Sequence, residues 1–407
     1  MTKPIAAYVG VSAAYWAFML SDGALRMLVL FHFHGIGYTA LQLAYLFLLY
    51  EIAGVITNLS AGWIAARFGL ASTLFSGLLI QIVALMMLVP FADDAGVGLG
   101  LVYVMCAQGL SGVAKDLTKM SAKSAVKSLV PEGGGALFKW VALLTGAKNA
   151  IKGVGFFVGA ALLALFGFAQ SLTVMAVFLA VIFVVLLVTL PAGLPQGKKS
   201  AKFSEIFSKS SNVNWLSLAR VFLFGARDVW FVVALPIYLY SQLQAVFTWQ
   251  GGAFFAVGAF MAIWIIFYGA VQARAPHWLG AKDKPVQAII ASASRWVFAL
   301  AAIPALLCVS LWVYPALSFV VIGGVLYVFG AVFAINSSLH SFLILQFSDQ
   351  SRVSMDVGFY YMANAMGRFM GTLASGLSYQ YGGLTTALVV ATIFLVISGA
   401  AATKLKA

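Results

Sequence analysis

Residues 148–153 read Lys148-Asn149-Ala150-Ile151-Lys152-Gly153, and residues 364–368 read Asn364-Ala365-Met366-Gly367-Arg368. Each string sits inside an apolar run of about 20 residues or more, long enough to cross about 30 Å of hydrocarbon. Each sets Asn-Ala within a helical turn of a cation. A cation facing lipid at the centre of such a run costs about 2.5–3.5 kcal/mol. Arg26, Arg220 and Arg227 lie in comparable runs, which makes six such cations with Lys148, Lys152 and Arg368. Six facing hydrocarbon would cost about 15–21 kcal/mol. They are therefore expected to face a wet or anion-filled interior, which points to transport of a negatively charged cargo. If Lys148, Lys152 and Arg227 faced acyl chains, or were fully locked by internal acidic neighbours, that reading would fail.

Composition agrees with a membrane protein. Of 407 residues, 63% are hydrophobic and only 9% charged, too few charges to keep a soluble surface wet. The formal net charge of +13 could indicate nucleic acid, anionic lipid or an acidic substrate. Nucleic acid is not expected, because the sequence shows no soluble basic domain to hold it. Cys106 and Cys308 both lie in apolar runs, away from any Cys/His cluster, so neither a disulfide framework nor a thiolate metal site is expected. No nucleophile-and-base or metal constellation is apparent, so neither an enzyme nor a cofactor is expected. Lys3 leads into one long span rather than a cleavable signal, and that span is expected to serve as its own insertion signal.

Working outward from the two strings, the sequence predicts an all-α membrane protein of twelve transmembrane helices. They fall near 8–31, 40–65, 72–91, 98–119, 136–165, 170–190, 213–240, 249–273, 290–312, 316–342, 354–378 and 384–402. The expected units are a six-helix half over 1–190, a cytoplasmic linker over 191–212 and a second six-helix half over 213–407. The linker holds Lys198, Lys199, Lys202 and Lys209. Alternate connections lack Lys and Arg, and one of them carries Asp93 and Asp94. The opposite set holds Arg67, Lys123, Lys127, the linker lysines, Arg274, Lys282, Lys284 and Arg352, with Lys3, Lys404 and Lys406 at the ends. The positive-inside rule then places both termini in the cytoplasm. The Asn-Ala-cation strings stand six spans apart. So do Gly62 with Arg67 and Gly269 with Arg274, each a Gly-x-x-x-Ala-Arg string. A six-plus-six repeat with a midplane site is the major facilitator architecture.

Helical spacing groups the polar residues. In the first span Tyr15, Asp22 and Arg26 share a side, and Asp22 can pair with Arg26 four residues on. In the fifth, Thr145, Lys148, Lys152, Gly155 and Gly159 form a stripe with no acid nearby in sequence. In the seventh, Ser217, Arg220, Phe224 and Arg227 align, with Asp228 adjacent. In the eleventh, Tyr361, Asn364, Arg368 and Gly371 align. Lys115, Lys119, Lys123 and Lys127 form a ridge at i, i+4 spacing. That ridge reads either as a wet helix end beside lipid phosphate or as a funnel for anions, with Lys115 and Lys119 deep enough to reach the cavity. The candidate substrate contacts are Arg26, Lys115, Lys119, Lys148, Asn149, Lys152, Arg220, Arg227, Asn364 and Arg368. Asp22, Glu51 and Asp228 are candidates for charge pairing or proton coupling. The six deep cations exceed these three acids by three, which an anion of about three charges would balance. Structural readings stand beside these: Arg26 with Asp22, and Arg227 with Asp228, as permanent pairs; Arg368 bonded to backbone carbonyls; Glu51 as a hydrogen-bonded core residue. Asn336 and His340 read as helix-contact residues, His32 and His34 as an exterior loop, and the aromatics as mostly interfacial or lipid-facing.

Several strings resemble the ArsJ-type organoarsenical efflux permeases. They are Tyr15-Trp16-Ala17-Phe18, Ser21 through Leu28 (Ser-Asp-Gly-Ala-Leu-Arg-Met-Leu), Glu51 through Asn58, Gly112 through Lys123, and Lys148 through Phe157. The resemblance runs the length of the chain and is sharpest in its first half. It implies a bacterial inner-membrane, major facilitator exporter of 1-arseno-3-phosphoglycerate that confers arsenate resistance. It also implies a functional partner, a glyceraldehyde-3-phosphate dehydrogenase that makes the substrate. The major facilitator loop pattern Gly-x-x-x-Asp-Arg-x-Gly-Arg-Arg is only partly kept. Gly62, Arg67 and Gly69 remain, Ala66 replaces the acid, and no basic pair follows. The rival readings are an organophosphate/phosphate antiporter and a proton-coupled multidrug exporter. A monomer is the default for this architecture. A trianion leaving a negative interior gains roughly 7 kcal/mol per 100 mV, so export does not need proton energy.

Overall fold

A chain with this hydropathy has to close its backbone hydrogen bonds within each segment, and helices do so. The computed structural model describes residues 3–91, 99–129, 136–190, 210–280, 284–314, 317–348 and 353–406. They form ten α-helices: α1 (Lys3–Gly35), α2 (Ala40–Leu88), α3 (Leu99–Leu129), α4 (Ala136–Thr189), α5 (Ser211–Phe231), α6 (Ala234–Gln244), α7 (Gln250–Trp278), α8 (Val286–Val313), α9 (Phe319–Phe347) and α10 (Val353–Ala402). Nine stretches among the described residues are long and apolar enough to cross a membrane. The chain is thus a multi-pass helical protein. Lys198, Lys199, Lys202, Lys209, Asp93, Asp94, Lys282 and Arg352 lie outside the described residues, as do the side chains of Lys3, Arg67, Lys123, Lys127 and Thr145.

Ten helices replace the expected twelve for a local reason. At three expected turns the helix resumes after a single break. Gly69 (φ 76°) interrupts α2, Gly167 (φ 74°) interrupts α4, and Gly382–Gly383 (φ 64° at Gly383) interrupts α10. Glycine reaches positive φ without a Cβ clash, so the chain changes direction in one residue and needs no loop. Conversely, the expected seventh span divides into α5 and α6 at Val232–Val233. There Ser375 of α10 accepts from the freed backbone N–H groups of Val233 (3.2 Å) and Ala234 (3.1 Å). Three helix starts carry side-chain caps. Thr39 and Gln42 form a reciprocal capping box at α2, and Ser210 and Ser318 cap α5 and α9.

The packing is α1 on α4, α2 on α3 and α10, α4 on α7, and α5 on α10. Two crossings decide the site. At α1/α4, a Cβ on Gly23 would lie 2.6 Å from the Lys152 carbonyl oxygen, and one on Gly155 would meet the Leu20 carbonyl. The backbones touch there, as small-residue crossings allow. At α5/α10, a Cβ on Gly371 would lie 2.5 Å from the Gly225 carbonyl, and one on Gly367 would strike the Val221 carbonyl. Gly367→Ala should push these helices apart and cost about 1–3 kcal/mol of stability. A thermal midpoint equal to the parent's would show the crossing to be looser than described.

Aromatic residues depart from the expectation that they mostly face lipid. Trp230, Trp264, Phe18, Phe31, Phe33, Phe47, Phe329 and Phe333 are fully buried. The outward apolar surface is largely aliphatic, as at Val181, Val184, Leu187 and Val188 of α4, although Trp312 is also 81% exposed. His32 and His34 belong to the last turn of α1 rather than to a loop. His32 stacks on Phe168 at 3.9 Å, and His34 meets Tyr240 edge-on.

Candidate functional site

The α1/α4 crossing sets Asp22 beside Lys152. Lys152 Nζ lies 3.0 Å from Asp22 Oδ2, and the Tyr50 hydroxyl donates to Asp22 Oδ1 at 2.6 Å. Two expectations change here. Arg26 does not pair with Asp22, its neighbour one turn on. Lys152 is not without an acid: its partner comes from a distant part of the chain. Arg26 instead reaches α2, where its Nη2 lies 3.0 Å from Glu51 Oε1.

Glu51 is fully buried and also accepts from Arg368 Nη2 of α10 at 2.6 Å. Arg368 Nε lies 3.4 Å from Asp228 Oδ2 on α5, so Arg368 is held by carboxylates rather than backbone carbonyls. Asp228 pairs with adjacent Arg227 as well, through Arg227 Nη2 to Asp228 Oδ1 at 2.5 Å. A continuous chain Arg26–Glu51–Arg368–Asp228–Arg227 therefore ties α1, α2, α10 and α5. Burial raises the worth of each contact and the cost of any member left alone.

A second cluster lies on α3. Asp116 is fully buried between Lys115 (4.0 Å) and Lys119 (3.2 Å), and it accepts from Thr57 Oγ1 at 2.5 Å. Lys119 also donates to Asn58 Oδ1 at 2.7 Å. Lys115 Nζ sits 4.0 Å from the Tyr50 ring centroid, and Lys119 Nζ sits 5.5 Å from that of Tyr361. Both lysines are inside the protein, as the deeper half of the ridge predicts. Asp116 was missed: in sequence it looks like solvated relief among lysines, although its place three residues before Lys119 was the available signal.

Arg220 differs from the carboxylate-paired cations. It is 4% exposed and has no carboxylate partner among the described residues. Its Nε donates to Asn364 Oδ1 at 3.0 Å, and its Nη1 donates to Ser337 Oγ at 3.1 Å. Phe224 (3.8 Å) and Tyr360 (4.9 Å) lie against the guanidinium. The expected α5 stripe is real, since Arg227 lies 4.9 Å from the same Phe224 ring. A polar relay leads away from Arg220. Gln272 of α7 donates to Ser337 at 3.2 Å, and Asn149 of α4 donates to Gln272 at 3.3 Å. Lys148 is partly buried on the turn beside Asn149. Sequence reading missed Tyr50, Gln272, Ser337 and Tyr360, which carry no charge and so raise no hydropathy alarm. Asn336 donates to the Ala293 carbonyl at 3.2 Å, the helix contact expected of it.

Eight cations (Arg26, Lys115, Lys119, Lys148, Lys152, Arg220, Arg227 and Arg368) thus accompany four carboxylates (Asp22, Glu51, Asp116 and Asp228). Asp22 holds Lys152 and Asp228 holds Arg227, so two of the three cations whose locking would end the anion reading are paired, while the cationic set as a whole stays in excess. A cavity of about 290 Å³ between Tyr238, Leu311, Tyr379 and Gly382–Thr385 has no charged lining.

No protein-family model matches the chain, and no curated protein matches it. Solved structures do. A POT family transporter in complex with 5-aminolevulinic acid superposes with a TM-score of 0.71 at 15% identity, covering 96% of this chain and 94% of that one. A POT family transporter in complex with a thioalcohol-conjugated peptide matches with the same figures. At that identity the likeness establishes the fold, which is that of POT family transporters.

Proposed function

We propose that this chain is a secondary transporter that exports a phosphorylated organic oxyanion, 1-arseno-3-phosphoglycerate, from the bacterial cytoplasm by alternating access. The observation that carries the reading is the excess of buried cations over carboxylates where α1, α2, α3, α4, α5 and α10 meet. The transporter fold supports the class, and the strings shared with ArsJ-type permeases supply the substrate. Divided at Gly69, Gly167 and Gly382–Gly383, with α5 and α6 joined, the helices make twelve crossings. The halves are 1–190 and 213–407, joined by 191–212, with both termini cytoplasmic.

On this reading Glu51, Asp22 and Asp228 hold the cations in the absence of substrate. An arriving polyanion competes for them, because it brings more oxygen acceptors per guanidinium than one carboxylate oxygen. The bridge from Glu51 through Arg368 to Asp228 joins the two proposed halves. Exchanging its partners is the event that lets them rock. The same positive excess repels cationic drugs and so disfavours a multidrug exporter.

The test is survival on arsenate. Cells lacking their own arsenate efflux should gain tolerance when they express this chain together with a glyceraldehyde-3-phosphate dehydrogenase, and not with either alone. Equal protection without the dehydrogenase, or none with it, removes the arsenical. Exchange of inorganic phosphate for a sugar phosphate in proteoliposomes would then identify the organophosphate antiporter.

A further inference from the structure

Among the charges at the centre, Arg220 is buried with neutral partners alone. Taking a guanidinium out of water without an opposite charge is costly, and proteins keep such a group where an anion comes to it. Two neighbours point the same way. Ser217, one turn earlier on α5, is 3% exposed, and its hydroxyl has no partner among the described residues. His340, one turn beyond the Ser337 that holds Arg220 on α9, is fully buried, and neither of its ring nitrogens is bonded among the described residues. Buried polar atoms are rarely left unsatisfied, so unpartnered groups near a cation that has no carboxylate partner mark a place for a ligand.

We propose that Arg220, Ser217 and His340 form an oxyanion-binding subsite between α5, α9 and α10 that takes one tetrahedral oxyanion head, free or on an organic ester, without breaking any ion pair. The neighbours settle how it binds. Asn364 and Ser337 occupy Nε and Nη1 of Arg220, and Phe224 and Tyr360 lie against its face. The guanidinium is thereby fixed before the ligand arrives, and Nη2 remains for it. Ser217 supplies a hydroxyl and His340 a ring N–H. Every carboxylate-paired cation must surrender a partner to touch substrate, whereas Arg220 need not. Head-group recognition therefore falls to Arg220, and conformational coupling falls to the paired cations. The inference rests on the reading that the centre carries an anion, but not on the arsenical. A phosphate-ester exchanger that failed the arsenate assay would still bind here.

The experiment is calorimetric titration of the purified full chain in detergent at low chloride, with inorganic phosphate and with propyl phosphate as probes. The parent should bind at least one of them saturably. Tighter inorganic phosphate assigns the subsite to the free ion, and tighter propyl phosphate assigns it to an ester head. Arg220→Gln should weaken binding at least about tenfold, the usual worth of a charged hydrogen bond. Arg295→Gln, which removes an exposed cation of α8 and the same unit of charge, should leave binding unchanged. Equal weakening by both variants, parent-like binding by Arg220→Gln, or no binding of either probe to the parent overturns the proposal. If Arg220→Gln does not fold, Arg220→Lys takes its place, since lysine keeps the charge but cannot present the guanidinium's fixed fork of donors to Asn364, Ser337 and the ligand. Undiminished binding in that variant also overturns it.

Discussion

Glu51→Gln is expected to destabilise the protein by about 3–5 kcal/mol and to abolish transport. One oxygen of Glu51 accepts from both Arg26 at 3.0 Å and Arg368 at 2.6 Å. Removing its charge leaves two buried guanidiniums facing each other with only the more distant Asp228 between α5 and α10 to hold one of them. The diagnostic result is rescue. If these cations face the substrate path, added phosphate should raise the thermal midpoint of Glu51→Gln more than that of the parent. A ligand at a hundred times its dissociation constant returns about 2.7 kcal/mol. A Glu51→Gln protein that melts early and ignores phosphate would make the chain of pairs purely architectural.

The second large effect separates stability from function. Lys152→Gln alone should cost about 3–5 kcal/mol, because Asp22 then keeps its charge without its ion-pair partner, its remaining hydrogen bond among the described residues being that from the Tyr50 hydroxyl. Adding Asp22→Asn should return most of that loss, since a buried pair replaced whole is often nearly neutral. Transport should not return. If Lys152 meets the anion during the cycle, the double variant should remain about 10- to 100-fold slower, the worth of one charged hydrogen bond. Parent-like transport by the double variant would show that Asp22 and Lys152 serve only each other.

The sequence makes plain which side chains matter and much less plain whom they meet. Hydropathy exposes Arg26, Lys152, Arg220, Arg227 and Arg368 because a charge in an apolar run is costly wherever the helix points. Partners are a property of helix crossings. Spacing along α1 suggests Asp22 with Arg26, yet the glycine contact between Gly23 and Gly155 delivers Lys152 to Asp22 from about 130 residues away, as contact order in a bundle permits. Arg227 with Asp228 was readable because the pair is adjacent. The spacing of Asp116 from Lys115 and Lys119 was readable too, but its burial was not, since that depends on Thr57 and Asn58 closing over it from α2. The helix count missed for a different reason. Gly69, Gly167 and Gly383 mark turns correctly, but a glycine at positive φ can redirect a helix without ending it.

The interruption at Val232–Val233 has a mechanical consequence. A continuous helix carries rotation from one end to the other like a rod, so any swing at its tip would twist Arg220, Arg227 and Asp228 as well. A rod cut there and pinned to α10 through Ser375 behaves as a knuckle. The short tip bearing Tyr238 and Tyr240 is thereby uncoupled from twist in the shaft that carries Arg220, Arg227 and Asp228.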